Sequence, residues 1–492
     1  MHIHLVTIHA FSSPQAVPLA AACLKSSLDV HSTPGKPLTV TFADFFCGDS
    51  ITEIFRSIQD VAPNSVGLSL YAWNRAECLT LVAKLRGELP SLTIFAGGPE
   101  ATADPIGLLA AADFDFLVLG EGELTLPEVI DRLDAGLSLD GVSGIARRTD
   151  AGVKLSRRVP IADPGSLPSP YLSGILDAYI PHGVLWQLSR GCSFGCDFCF
   201  DGMGDRVVRR YPAERLETEL DYLVSHGVSQ VVVLDSTFNL DVSRAKSLLR
   251  MIRKKAPHVH FHFEARAELL DAEQAGLFGT MKCSLQIGLQ TADPDVSRSV
   301  HRPLNRREFA KKIGLLNQEG VVFGFDLIYG LPGGSLALFR ETLDFALGLY
   351  PNSLAVFPLA VLPGTVLAAR AEELRLRHLP APPYTLRESP TFSADDLLSA
   401  KRLADACDIF YSRGKSVAWF NGIVASLRMS PSAFLEEFSH WLQKRSGNDS
   451  SEKDYRDEDI FLLQKEFLSV LFIQRKVRRF LNAALDFVDY HY

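Results

Sequence analysis

The chain has 492 residues, 47% of them hydrophobic and 22% charged, with a formal net charge of −8, a size that accommodates two or three domains with separate cores. The acidic balance argues against nucleic acid as a partner, and no apolar run approaches the roughly 20 residues that cross a bilayer. Eight cysteines, scattered singly apart from one tight cluster, together with an N-terminus that lacks a signal-peptide pattern, indicate a cytoplasmic protein with reduced thiols and a metal at the cluster.

Up to about residue 165, apolar runs HLVTIHA, LTVTFADFF, SVGLSLYA, LTIFAGG and FDFLVLG alternate with helical stretches such as PQAVPLAAACLKSSL and RAECLTLVAKLRGEL. This alternation predicts a doubly wound parallel sheet, with ligands at the carboxyl ends of its strands. GVSGIARR and GVKLSRRVP predict a closing hairpin. Ser69 in LSLYAWN precedes Gly97 in FAGGPEATADP by 28 residues. The adjacent Gly97 and Gly98 either admit a bulky ligand to the backbone or simply make a tight turn. LGEGELT (119–125) brings Gly120 to a third strand end, and its Glu121 and Glu123 favour the N-terminus of the next helix. A first domain over 1–158 and a Pro/Ser-rich linker over 159–178 follow.

A second alternating array occupies 179–370. GVLWQLSR, SQVVVLD, HFHFEAR, CSLQIGLQ, VVFGFDLIYG and LAVFPLAVL are its strands, and PAERLETELDYLVSHG, bounded by Pro212 and Gly227, is one of its helices. Six βα units predict an open, partial barrel. Directly after the first strand, RGCSFGCDFCF gives CxxxCxxC at Cys192, Cys196 and Cys199. Soft thiolates suit an iron–sulfur cluster, and three of them leave a fourth iron open. Gly191 and Gly195 allow a tight loop. Zinc, with His182 or another residue as fourth ligand, is the alternative; a disulfide fits three close cysteines poorly. Arg206, Arg209 and Arg210 read as a solvated basic face. Over 371–492 the strands stop, and DDLLSAKRLADACDIFYSR, SAFLEEFSHWLQK and DIFLLQKEFLSVLFIQRKVRRFLNAAL predict a helical region. The polar stretch RSGNDSSEKDYRDED (445–459) reads as a mobile loop.

CxxxCxxC with aromatic Phe198 before its last cysteine, on six βα units, resembles the radical S-adenosylmethionine (radical SAM) superfamily. The resemblance implies that Cys192, Cys196 and Cys199 ligate a 4Fe–4S cluster and that S-adenosylmethionine occupies the open iron, where one electron cleaves it to methionine and a 5′-deoxyadenosyl radical. It also implies that Phe198 lies by the adenine. Asp235 in LDSTFN stands where relatives contact the cofactor's amino group, although their glycine–glutamate pattern is missing. Arg266 in FEAR could pair with the cofactor carboxylate. Gln290 in IGLQT replaces a ribose-contacting carboxylate, and Gly330 in DLIYGLPG belongs to the glycine-bearing strand near adenine.

Beside such a barrel, the N-terminal runs resemble the cobalamin-binding domain of cobalamin-dependent radical enzymes. Ser69, Leu70, Tyr71, Gly97, Gly98, Gly120 and Glu121 are the implied cobalamin contacts. The Asp-x-His-x-x-Gly loop that supplies a cobalt ligand in methionine-synthase-like domains has its expected equivalent in FADFFCGDS (42–50), which holds no histidine. Methylthiotransferases place a second cluster on three N-terminal cysteines, but Cys23 and Cys78 sit inside apolar helices, and Cys283 and Cys407 also read as structural. PGTVLAARAEELRLRHLPAPPYTL (363–386) and the helices beyond resemble an uncharacterised extension of some cobalamin-type radical proteins, with Tyr384 and Trp419 more suited to packing than to substrate. The implied activity is a cobalamin-dependent radical SAM methyltransferase acting on an unactivated carbon or phosphorus centre, with a small molecule or peptide as substrate and a reducing partner such as flavodoxin or ferredoxin. The competing readings are radical rearrangement or cyclisation, with cobalamin as electron donor or absent, and a non-catalytic cobalamin or metal sensor.

Overall fold

The computed structural model of the chain describes residues 1–31, 37–446 and 455–491. Its N-terminal sheet contains β1 (His2–His9), β2 (Thr39–Phe46), β3 (Ser65–Ser69), β4 (Thr93–Gly97), β5 (Phe116–Val118), β6 (Ile145–Thr149) and β7 (Gly152–Ser156), ordered β2-β1-β3-β4-β5-β6-β7. The pairs from β2 to β5 are parallel, and β6 and β7 form the expected antiparallel hairpin. β1 is buried at every position except its two ends, because helices cover both faces of the sheet. Ile3 and Leu5 pack with Phe95 and Phe116 on one face, and Val6 and Ile8 pack with Leu68 and Ile94 on the other. The first helix runs over Leu19–His31 and not from residue 14, since Pro14 and Pro18 cannot donate into a helical ladder.

Because β2 and β3 flank opposite sides of β1, the crevice at the switch point opens beyond the carboxyl ends of β1 and β3. The run after β1, which starts at Ala10, borders it. Residues 42–50, expected to be the cobalt-facing loop, are instead the second half of outermost β2 and the turn after it. That expectation assigned the loop to the wrong strand.

The barrel is built from β8 (Val184–Trp186), β11 (Gln230–Val233), β12 (His260–Ala265), β13 (Cys283–Gln290), β14 (Val322–Tyr329) and β15 (Ser353–Pro358), all parallel, with β8 and β15 as edges. A two-residue ribbon, β9 (Ser189–Arg190) against β10 (Arg209–Arg210), closes the loop after β8. Along β13, Cys283, Leu285, Ile287 and Leu289 are buried, while Ser284, Gln286 and Gly288 alternate with them, so the second row faces the lumen. Ser284 there sits 3.0 Å from both His260 Nε2 and His262 Nδ1, and Gln286 Nε2 donates to Asp326 at 2.7 Å.

Beyond β15 the strands do not stop. Arg377–His378 pairs antiparallel with Leu386–Glu388, because Pro380, Pro382 and Pro383 exclude a helix from the intervening segment. Helices then gather around Phe410, whose ring meets Phe434 and Phe438 edge-on at 5.0 and 4.9 Å. Buried Trp419 packs against the same ring. This region and the barrel share one apolar core. Most of the polar stretch 445–459 lies outside the described residues. No helix among the described residues is long and apolar enough to cross a membrane.

Candidate active site

The three cysteines sit in the loop 191–208, at the carboxyl end of β8. Gly191 has φ +88°, and a Cβ there would lie 2.3 Å from the Val207 carbonyl oxygen, so the loop crosses itself where only glycine fits. The Cys192 N–H donates to the Asp205 carbonyl at 3.2 Å and the Cys199 N–H to the Cys196 carbonyl at 3.1 Å. Each sulfur also meets an N–H donor: Phe194 N–H for Cys192, Arg302 Nη1 at 3.7 Å for Cys196, and Asp201 N–H at 3.3 Å for Cys199. Burial raises the Cys192 thiol and pushes Cys199 up to about 11, so metal loading must expel protons. N–H donors on all three sulfurs suit thiolate ligands of an iron–sulfur cluster, whose potential such bonds tune. Among the described residues no three His, Cys, Asp or Glu side chains converge around a single ion; a cubane spreads its ligands over separate corners. His182, the alternative zinc ligand, is exposed and precedes β8 at the opposite end of that strand.

Buried Asp197, between the second and third cysteines, anchors this loop through His301 Nδ1 at 2.6 Å and Arg370 Nη1 at 3.3 Å. The sequence offered no sign of that pairing, because the partners come from distant segments. Phe198 packs against the shared core. Asp235 uses its carboxylate on the chain itself: Oδ1 accepts from the Leu188 and Ser189 N–H groups at 2.8 and 2.9 Å, and Oδ2 from Ser189 Oγ at 2.7 Å. Arg266 stacks on the Phe194 ring at 3.6 Å, and its Nε donates to Glu268. Reciprocal bonds with Asn239 at 2.9 and 3.0 Å hold its backbone.

Gln290 ends β13 at a register shift, with φ +59°. Its amide folds over Gly288, beside the Arg302 guanidinium that donates to the Gly288 carbonyl at 2.6 Å. Its Oε1 is buried without a hydrogen-bond partner in the chain, which leaves it free to accept from a bound group. The missing side chain of Gly330 admits Leu386 and Leu397. On β12, Glu264 alternates with buried Phe263 and Ala265 and is itself solvent-accessible; desolvation by the surrounding protein, with Asp326 and Asp201 nearby, pushes its carboxyl up to about 7.

At the N-terminal sheet, Ser69 closes β3 and its carbonyl accepts from Asn74 Nδ2 at 2.9 Å. Leu70 N–H donates to the Gly97 carbonyl at 2.8 Å. Gly98 has φ +105°, and a Cβ there would meet the Leu70 carbonyl at 2.6 Å. The second glycine is therefore demanded by Leu70. Gly97 leaves ordinary space, and Gly120 has φ +71° with nothing within 4 Å of the added Cβ. The Tyr71 ring stacks on half-exposed Trp73 at 4.2 Å. His9 Nε2 is 3.0 Å from Asp44 Oδ1, and Asp44 also accepts from Tyr179 Oη. Open glycine backbone at neighbouring strand ends, next to a switch-point crevice, fits a nucleotide-bearing corrin. Cys23 and Cys78 lie on helices that cover opposite faces of the sheet, so they cannot share a cluster.

Glu121 and Glu123 do more than favour a helix end. Glu121 Oε1 accepts from Arg190 Nη1 at 3.1 Å and from Arg209 Nη1 at 2.8 Å, its Oε2 accepts from the Ile161 N–H at 2.7 Å, and Glu123 Oε1 accepts from Arg190 Nη2 at 2.6 Å. Burial alone would raise the Glu121 carboxyl, but the Ile161 N–H and the two arginines outweigh it and hold it below its ordinary range. The expected solvated basic face is thereby corrected at Arg209, whose side chain is 9% exposed. The apposition of a carboxylate 88 residues away overrides a local charge pattern. Arg206 lies over Gly195, and Arg210 reaches Asp241. Tyr384 is also at a junction, donating to Glu100 Oε2 at 2.6 Å beside Arg75, which pairs with Glu100 and Asp104.

Residues 186–346 match the family model of the Radical SAM superfamily, and residues 8–130 that of the B12 binding domain. The first implies a 4Fe–4S cluster and S-adenosylmethionine, the second cobalamin. The chain is 26% identical over 361 residues to the cobalamin-dependent radical SAM methyltransferase TokK of Streptomyces tokunonensis, covering 66% of this chain and 51% of that one. It is 27% identical over 330 residues to the 2-(S-pantetheinyl)-carbapenam-3-carboxylate methyltransferase of Streptantibioticus cattleyicolor, covering 60% and 46%. The chain thus spans about half the length of these relatives. The fold matches the solved cobalamin-dependent S-adenosylmethionine radical enzyme OxsB with a TM-score of 0.65 at 16% identity, over 99% of this chain and 80% of that one.

Proposed function

We propose, for a chain that belongs to the radical SAM superfamily and carries a B12-binding domain ahead of its barrel, a cobalamin-dependent radical methyltransferase acting on an unactivated carbon or phosphorus centre. The observation that carries this reading is the junction. The turn at the end of β5 in the B12-binding sheet grips the loop that holds Cys192, Cys196 and Cys199, and the short helix Pro99–Ala103 lies against Asp201–Gly204 of that loop. When bound, the cluster with S-adenosylmethionine supplies a 5′-deoxyadenosyl radical and cobalamin supplies a methyl group.

The chain's own residues hold and orient these groups. Cys192, Cys196 and Cys199 are the ligands, and the donors from Phe194, Arg302 and Asp201 stabilise the charge on sulfur. Arg266 binds the cofactor carboxylate. Gln290 Oε1 accepts from a cofactor hydroxyl, which satisfies an otherwise orphaned atom. Backbone at Gly97 and Gly120 receives the corrin's tail. Asp235 positions the loop by fixing the end of β8, taking no cofactor contact. The domains divide at 1–158, 159–178, 179–370 and 371–492. The substrate is a small molecule or peptide, and a reductant of the flavodoxin or ferredoxin type serves the cytoplasmic enzyme.

The test is anaerobic reconstitution with iron, sulfide and hydroxocobalamin, followed by incubation with methyl-labelled S-adenosylmethionine and a reductant. Bound corrin absorbance, deoxyadenosine release and label in an acceptor support methyl transfer. Deoxyadenosine with no label transferred to any product, in extracts or with candidate acceptors, replaces it with rearrangement. Iron-free protein that binds zinc ends the radical reading.

A further inference from the structure

We propose that Glu121 and Glu123 are positioning residues for the cysteine loop: two carboxylates of the N-terminal domain hold shut the neck of a loop that belongs to the barrel. The inference rests on the cluster-bearing reading of that loop. The neck is the two-residue ribbon in which Arg190 and Arg209 are direct antiparallel partners. Like charges placed opposite each other on neighbouring strands repel, and a ribbon of two residue pairs, flanked by single backbone bonds from Cys192 N–H to Asp205 and from Tyr211 N–H to Leu188, opposes that repulsion weakly. Glu121 is the carboxylate that offsets both charges at once, accepting from both guanidinium groups through one oxygen at 3.1 and 2.8 Å. Glu123 takes the remaining Nη2 of Arg190 at 2.6 Å. All four side chains are 10% exposed or less, so water does little to screen the charges.

The neck leads directly to the ligands. Cys192 is two residues beyond Arg190. Arg209 Nη2 pairs at 2.9 Å with Asp205, whose carbonyl accepts the Cys192 N–H at 3.2 Å. The carboxylates are fixed from the other side. The Ile161 N–H holds Glu121 Oε2 at 2.7 Å, and the N–H of Gly120 next door donates to Thr102 Oγ1 at 2.9 Å. The turn that presents the clamp therefore belongs to the sheet whose strand ends flank the corrin crevice. With the clamp gone, the ribbon splays and the first cysteine moves with it. Ordinary domain adhesion needs no carboxylate shared between two registered arginines.

The test uses the full chain with its cluster reconstituted. Iron content, the EPR spectrum of the reduced cluster during S-adenosylmethionine titration and deoxyadenosine release are measured for wild type, Glu121→Gln, Glu123→Gln, Arg209→Lys and Arg209→Gln. With iron unchanged, Glu121→Gln is expected to need about tenfold more S-adenosylmethionine for its EPR shift and to cleave it about a hundredfold more slowly, the effect of an ångström-scale misplacement. Arg209→Lys, which keeps the charge, should stay closer to wild type than Arg209→Gln. An iron-loaded Glu121→Gln protein with wild-type titration and cleavage overturns the proposal. If that variant fails to fold, Glu123→Gln, which loses a single 2.6 Å contact, decides in the same way. A wild type that assembles no cluster counts against the enzymatic reading, not against the clamp.

Discussion

The two parallel sheets of this chain dispose of polarity in opposite ways. In the N-terminal sheet β1 is buried at every interior position, whereas β13 of the barrel buries every second residue and turns Ser284, Gln286 and Gly288 to a lumen. A sheet covered on both faces leaves only its strand ends open to a ligand, and there this one carries Gly97, Gly98 and Gly120. A sheet curled around a space can also carry chemistry along its length. The barrel accordingly places His262, Glu264, Gln286 and Asp326 inside and secures its first strand end with a buried carboxylate, Asp235. One region is specified by what glycine omits, the other by what polar side chains reach.

That contrast predicts unequal responses to substitution. The largest is expected at Asp235→Ala, which strips partners from two backbone N–H groups and a hydroxyl in the barrel. It should cost about 2–4 kcal/mol in denaturant unfolding, while Asp235→Asn keeps part of the stability. A wild-type midpoint for the alanine variant would break the comparison. At the other sheet, Gly98→Ala should cost about 1–3 kcal/mol, since it forces φ +105° on a residue whose Cβ strikes Leu70. Its neighbour Gly97→Ala has room and should change stability within about 0.5 kcal/mol, yet lower corrin absorbance after reconstitution. Equal corrin retention in Gly97→Ala and wild type would remove that strand end from the cofactor site.

The smallest effect concerns pH. Glu264 is raised to about 7 in the folded chain, so the folded state tolerates its neutral form better than its ionised form. Stability from this group is fully present below the ordinary carboxylate pKa and is lost as pH rises through about 7. Thermal melts of Glu264→Gln should lack that decline. A parallel decline in both proteins would assign it to other groups.

The elements were legible because short apolar-rich strand runs alternate with helical stretches in both arrays. The grouping of Cys192, Cys196 and Cys199 was legible because residues on a single loop keep their spacing. The pairings at Glu121, Arg190 and Arg209, at Asp197, His301 and Arg370, and at Tyr384, Glu100 and Arg75 were not, because each unites segments separated by tens to hundreds of residues. Gln290 was legible as a strand-end polar residue but not as an orphan, since only the bulge and Gly288 show that its Oε1 lacks a partner. The loop over 42–50 was misassigned because motif spacing does not reveal strand order, and the crevice follows strand order.

The most direct measurement compares deoxyadenosine release by anaerobically reconstituted wild type and Cys196→Ala under a strong reductant. Wild type is expected to release deoxyadenosine in an iron-dependent manner and Cys196→Ala none, as follows if all three thiolates are needed to hold a cluster with one open corner. Release at the wild-type rate from Cys196→Ala would contradict that requirement.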